Sequence, residues 1–203
     1  SRDEGVERFM FASSSSVYGD TPVLPKTEDM PPAPLSPYAV QKLTGEHYCR
    51  IFFSLYGLRT YSLRYFNVFG PRQDPASQYA AVIPLFVGAI RAGRSPTVYG
   101  DGKQTRDFTF VDDVVSANIA CCNAPEKAAG GIFNIACGRR ITVNDLANGL
   151  IRIIGGKVKI VHAPARPGDI KDSQADPGRA KKILGWKPSV DFDDGLRRTV
   201  EWF

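Results

Sequence analysis

Short apolar runs alternate with longer stretches of helical periodicity along the whole chain. Arg8–Ala12 reads as a buried strand and ends in the small-residue run Ser13–Ser16. A proline-rich loop follows (Pro22, Pro25, Pro31, Pro32, Pro34) and carries no periodicity. Ser36 at an N-cap and Pro37 at the first helical position open a helix from Tyr38 to about Leu55, closed by Gly57. Arg59–Phe66 returns to strand character, and 67–75 is turn-rich. A helix is predicted from about Ala80 to Gly93, then a strand at Thr97–Tyr99 and a turn at Gly100-Asp101-Gly102. Phe108–Val111 reads as a strand, with Asp112 or Asp113 capping a helix that reaches Asn123. Ile132–Ala136 is a strand, Thr142 caps a helix to about Ile154, and Lys157–His162 is a strand. Asp176-Pro177 opens a short helix and Phe192–Phe203 forms the last. Strands alternating with helices in this way predict an α/β fold with a mainly parallel sheet.

At 203 residues the chain can bury a sizeable core in one or two domains. Its 43% hydrophobic and 23% charged residues are those of an ordinary globular protein. No apolar run approaches the roughly 20 residues of a membrane span, so no membrane partner and a cytoplasmic location are expected. The net charge of +5 raises the question of nucleic acid. The basic residues are scattered, apart from pairs such as Arg139-Arg140 and Lys181-Lys182, which favours a few arginines facing phosphates over a nucleic-acid surface. Cys49, Cys121, Cys122 and Cys137 lack metal-site spacing and read as reduced thiols, with no metal expected.

Two clusters carry chemistry. Tyr38 and Lys42, four apart on a capped helix, share one face with Cβ atoms roughly 5–6 Å apart. A phenol with an ordinary value near 10 is a poor base at neutral pH, and a neighbouring ammonium favours its phenolate. The spacing alone is weak, since Tyr99 and Lys103 repeat it, but Gly100 and Gly102 deny that second pair a helix. The serine run is read as a flexible linker or as hydroxyls at the carboxyl end of a sheet strand. The preceding apolar strand favours the latter, because open α/β folds bind ligands there.

Four segments together resemble a known family: Ser13–Gly19 (SSSSVYG), Ser36–Lys42 (SPYAVQK), Leu63–Gly70 (LRYFNVFG) and Arg166–Asp169 (RPGD). They are similar to the extended short-chain dehydrogenase/reductases and, in order and spacing, to the nucleotide-sugar 4-epimerases among them, from about Phe9 to Trp202. The resemblance implies the C-terminal part of a Rossmann-like parallel sheet plus a smaller α/β substrate-binding domain. Residues 1–70 and 107–137 would belong to the NAD-binding part, and 71–106 and 138–203 to the nucleotide-sugar part. It implies NAD as cofactor and a UDP-sugar as substrate. Ser14 would handle the 4′-hydroxyl proton, with Ser13 on the cofactor side and Ser15 on the substrate side. Tyr38 would be the general base, and Lys42 would hold the nicotinamide ribose. Tyr65 and Phe66 would line the cofactor side. Asn67 would touch the diphosphate or sugar, Ala81 and Val82 would face the uracil, and Tyr99 would stack on it. Arg106 and Arg166 would neutralise the diphosphate, Asp169 would hold the ribose, and Ser173 would leave room for a 2-N-acetyl group.

Relatives that eliminate water carry an Asp-Glu pair at the positions of Ser15 and Ser16, and decarboxylating relatives a Glu at that of Ser16. Their absence favours epimerisation through a 4-keto sugar. A 4-keto reductase, a dehydrogenase, a cofactor-free nucleotide-sugar-binding module and an interaction fragment stay open as alternatives. The family also implies a homodimer through the Tyr38–Leu55 helix. No G-x-G-x-x-G occurs in these 203 residues. The family places that fingerprint upstream of the serine run, where its glycines admit the cofactor pyrophosphate. The chain by itself is therefore expected to lack most of the adenine and pyrophosphate site, and to turn over little.

Overall fold

The computed structural model describes residues 1–74, 82–166 and 170–203. The strands run β1 Arg8–Ser14, β2 Arg59–Tyr65, β3 Val68–Phe69, β4 Thr97–Tyr99, β5 Thr105–Arg106, β6 Thr109–Phe110, β7 Gly131–Ile135, β8 Ile141–Thr142 and β9 Val161–Ala163. The helices are α1 Pro37–Tyr56, α2 Val82–Arg91, α3 Val111–Cys122, α4 Val143–Ile154, α5 Gly178–Leu184 and α6 Phe192–Trp202.

β1, β2 and β7 form a parallel sheet in that order. The register sets Ser13 beside Arg64 and Ser14 beside Tyr65, so the carboxyl ends of β1 and β2 are level. β2 is buried on both faces, and its alternation separates two kinds of packing. Tyr61 and Leu63 join Phe133 and Ile135 in an apolar core with Val114, Ala117 and Cys121 of α3, Ala180 of α5 and Trp186. The opposite face presents Thr60 and Arg64 to α1, and Thr60 donates to the Cys49 carbonyl at 2.8 Å. The interface of α1 with the sheet thus includes buried polar contacts beside its apolar ones. A second core, with Ile83, Phe86, Leu146, Leu150 and Leu196 at its centre, binds α2, α4 and α6 to the short strands β4 and β6.

Ser36 caps α1 by accepting from Ala39 N at 3.2 Å, and Gly57 ends the helix in the left-handed region at φ 70°. Three expectations shift. The strand foreseen at Lys157–His162 is β9 alone, because its partner β4 has three residues between Pro96 and Gly100. α3 begins at Val111, with Phe110 at its N-cap. Asp112 and Asp113 lie in the first turn, where carboxylates suit the helix dipole, and Asp113 accepts from Ser189 N at 2.8 Å. α5 and Trp186, foreseen with the substrate-binding part, pack into the core of the parallel sheet.

Gly45 marks the tightest approach of α1 to β1, since a Cβ there would lie 2.1 Å from Phe11 Cζ. Gly45→Ala normally gains about 1 kcal/mol of helix propensity. Here overpacking by about 1–3 kcal/mol outweighs that gain. The variant is expected to unfold at lower urea concentration than the parent, and an unchanged or raised midpoint would refute the close contact.

Candidate active site

The serine run begins where β1 ends. Ser14 caps a 3₁₀ turn over Ser15–Tyr18, its Oγ accepting from Ser16 N at 3.2 Å and from Ser16 Oγ at 3.0 Å. Both contacts use lone pairs, so the Ser14 O–H is left to donate. Ser15 is half-buried at the start of the turn. α1 packs against this turn. Tyr38, 39% exposed, stands in the first turn of α1. Lys42 Nζ donates to the Ala12 carbonyl at 2.8 Å and lies 5.5 Å from the Tyr38 ring centroid and 5.4 Å from that of Phe11. A strand carbonyl therefore places the ammonium beside Tyr38, two residues before Ser14.

Two residues expected on the cofactor side use their side chains elsewhere. The Ser13 hydroxyl turns inward and donates to Glu46 Oε1, because alternation along β1 sends it to the face opposite Ser14. Tyr65 lies on the α3 side, its hydroxyl 2.9 Å from the amide nitrogen of Asn118, and burial pushes its pKa up. Phe66 is fully buried against Val17, Tyr18, Ala136 and Ala175.

Asn67, Val82, Tyr99, Arg106 and Arg166 meet around one cavity of about 220 Å³, floored by Ile83, Phe86, Val98 and Phe108. Asn67 adopts φ 33°, a region asparagine tolerates better than most residues. Arg106 Nη1 donates to the Thr105 carbonyl at 2.9 Å. The Arg166 guanidinium lies 3.7 Å from the Tyr99 ring centroid and covers one face of it. Tyr99 and Arg166 also line a second lobe of about 470 Å³, together with Leu85, Arg94 and Ser95. Ala81 and Asp169 lie outside the described residues. Ser173 is half-buried beside β5, its amide donating to the Thr105 carbonyl at 3.1 Å, and it lines neither lobe. Sequence reasoning passed over Gln104, whose amide donates to the Tyr99 carbonyl at 2.8 Å and lines the cavity. Its one signal was its place between Tyr99 and Arg106.

Asp107, next to Arg106, is fully buried and accepts from the backbone N–H groups of Cys137, Gly138 and Ala175 at 3.0–3.1 Å. Burial pushes its carboxyl up to about 6 despite those donors. The folded chain therefore holds this proton more tightly than the unfolded chain. The group's contribution is complete below about pH 4 and is lost as pH rises through about 6, a change of order 3 kcal/mol. In urea titrations, the stability advantage of the parent over Asp107→Asn is expected to shrink from pH 4 to pH 6.5. An advantage that grows over that range would contradict the assignment.

Residues 1–136 match the model of the NAD dependent epimerase/dehydratase family. The chain belongs to that family. It is 40% identical to a UDP-glucose 4-epimerase of Mycolicibacterium smegmatis, over 98% of this chain and 63% of the relative. Among solved structures, a UDP-N-acetylglucosamine 4-epimerase of Methanobrevibacter ruminantium, in complex with UDP-N-acetylmuramic acid, is 42% identical with a TM-score of 0.94. A Thermotoga maritima UDP-glucose 4-epimerase with UDP-glucose is 39% identical with a TM-score of 0.93. Each match covers 99% of this chain and 64% of the solved one, so the chain spans somewhat under two thirds of these epimerase/dehydratase relatives. The family is NAD-dependent, and the Tyr38–Lys42 end offers donors of the kind a nicotinamide ribose takes. There, an ammonium that uses one of its three donors at Ala12 stands beside a half-exposed phenol. Among the described residues no cluster of His, Cys, Asp and Glu could hold a metal ion, and no helix is long and apolar enough to cross a membrane.

Proposed function

We propose that this chain supplies the acid–base centre and the sugar-nucleotide site for NAD-dependent epimerisation at C4 of a UDP-hexose. The substrate pairs would be UDP-GlcNAc/UDP-GalNAc or UDP-Glc/UDP-Gal. The observation that carries the reading is the seat of Lys42, bonded to Ala12 O beside the Tyr38 ring and just before Ser14. When bound, NAD supplies the hydride acceptor and donor. Tyr38 takes the proton from the sugar 4′-hydroxyl and returns it after the 4-keto sugar has turned over. Ser14, with its own O–H left to donate, orients that oxygen. Lys42 stands beside the phenol and holds the ribose. Arg106 and Arg166 neutralise the diphosphate, Asn67 contacts it or the sugar, and Val82 and Tyr99 flank the uracil, with Ala81 and Asp169 as further contacts. Residues 1–70 and 107–137, joined by α5 and Trp186, would form the cofactor part, and 71–106 with the rest of 138–203 the nucleotide-sugar part. Elimination or decarboxylation is disfavoured because the serine turn offers Ser15 and Ser16 where a carboxylate would be needed.

A protein that joins these 203 residues to a G-x-G-x-x-G unit, incubated with NAD and each UDP-hexose, is expected to interconvert C4 epimers without net NADH, as separated by anion-exchange chromatography, while the 203 residues by themselves turn over little. Ser173 lines neither lobe, so its reading as the small residue that leaves room for a 2-N-acetyl group rests on the family resemblance; that reading predicts that the N-acetylated pair is turned over at least as well as the glucose pair. Net NADH accumulation would point to a dehydrogenase instead.

A homodimer through α1 accompanies this reading. Val40, Tyr48, Ile51 and Leu55 are each about half exposed or more and lie along one stripe of the helix. Light scattering is expected to give twice the chain mass, and Tyr48→Glu with Leu55→Glu to give a monomer. A parent protein that is already monomeric would refute the dimer.

A further inference from the structure

Glu46 lies one turn beyond Lys42 on α1, and both its oxygens are occupied. Oε1 accepts from Arg64 Nε at 2.8 Å and from the Ser13 hydroxyl, and Oε2 accepts from Arg64 Nη2 at 2.7 Å. The Glu46 and Arg64 side chains are each 2% exposed. The Arg64 guanidinium rests 4.6 Å from the Tyr18 ring centroid, and its Nη1 has no hydrogen-bond partner among the described residues. A buried ion pair of this kind is not efficient as a source of stability, since apolar side chains of similar volume often serve as well. What it supplies is direction. Of α1, Ala39, Glu46 and Cys49 are buried and Leu43, Phe52 and Phe53 partly so, which makes Glu46 the one charged group the helix buries. The planar fork of Arg64, on β2, sets the depth and angle of α1, and the Ser13 hydroxyl ties the same carboxylate to β1, next to Ser14.

The pair also settles a competition for charge. Lys42 and Glu46 are four apart on the helix, within range of an ion pair. Lys42 nevertheless bonds Ala12 O, and Arg64 is the cation on Glu46.

We propose that Ser13, Glu46 and Arg64 form a positioning network that holds the Tyr38–Lys42 turn against Ser14 and keeps the Lys42 ammonium from pairing with Glu46. None of the three touches the substrate. The inference rests on the epimerase reading above. In Arg64→Met the stranded carboxylate draws Lys42 away. There kcat is expected to fall about 100-fold, with KM for the UDP-sugar changed less than about 3-fold, because small misplacements of reacting groups cost that much. In Glu46→Met/Arg64→Met the rival charge is gone and an apolar pair fills the space. This double variant is expected to fold, to recover part of kcat, and to remain about 10-fold below the parent.

Amide hydrogen exchange over residues 37–46 is expected to quicken in the double variant while β2 and β7 match the parent. If the single variant does not fold, the double variant alone decides. Parent kcat and parent exchange in the folded double variant would overturn the network. A parent protein that epimerises no UDP-hexose, with the exchange altered as expected, would instead sink the reaction and keep the seating of α1.

Discussion

Tyr38→Phe is expected to lower kcat by about 10²–10⁴-fold, the usual contribution of a positioned acid–base group. KM for the UDP-hexose should stay within a few-fold, since the proposed nucleotide contacts are the residues of the Asn67–Arg166 cavity, which Tyr38 does not line. Stability should hardly change, because the side chain is 39% exposed and α1 is pinned by Ala39, Glu46 and Cys49. That pairing of outcomes is the diagnostic part. A catalytic proton carrier removes rate without removing fold or binding, whereas a surface tyrosine with no role removes nothing. Steady-state kinetics on both C4 epimers, with urea unfolding as control, would decide it. A loss of less than 10-fold in kcat would leave the phenol without the assigned task.

Much of this centre was legible in the sequence because it depends on local grammar. Ser36-Pro37 announces the start of α1, and the start of α1 fixes the face that Tyr38 and Lys42 share. Thr142 announces α4 in the same way, accepting from Asp145 N. The apolar run before the serines sets the hydroxyls at a strand's carboxyl end. What could not be read was every pairing that depends on the sheet. Ser13 and Ser14 are neighbours with the same side chain, yet one bonds a buried carboxylate and the other caps an open turn. Only the pleat and the side of the sheet on which α1 packs separate them. Glu46 and Arg64, read one at a time, look like solvated charges, as Glu and Arg mostly are. Their burial follows from β2 having helices on both faces, which no window of sequence displays. The short strands β3, β5 and β8 have two residues each, too few for any periodicity, and were missed for that reason.

Arg166→Ala is expected to split two ligands that share one site. For UDP, loss of the guanidinium removes charge-assisted contacts to the diphosphate, worth roughly 1.5–3 kcal/mol, or about 10–100-fold in Kd. For uridine the sign reverses. The guanidinium lies 3.7 Å from the Tyr99 centroid, so a base that stacks on that face must first displace it. An arginine–aromatic contact at an exposed site is worth about 0.5–1 kcal/mol, and removing it should tighten uridine by about 2–5-fold. The same variant should leave kcat nearly unchanged at saturating substrate, because Tyr38 and Lys42 do not line the cavity that Arg166 borders. Calorimetry with UDP and with uridine, on the parent and on Arg166→Ala, reads both signs in one experiment. Equal weakening of the two ligands would mean that Arg166 shapes the cavity without choosing between base and phosphate. Tighter uridine with weaker UDP would show one side chain serving as cover for Tyr99 when the site is empty and as counter-charge when it is full.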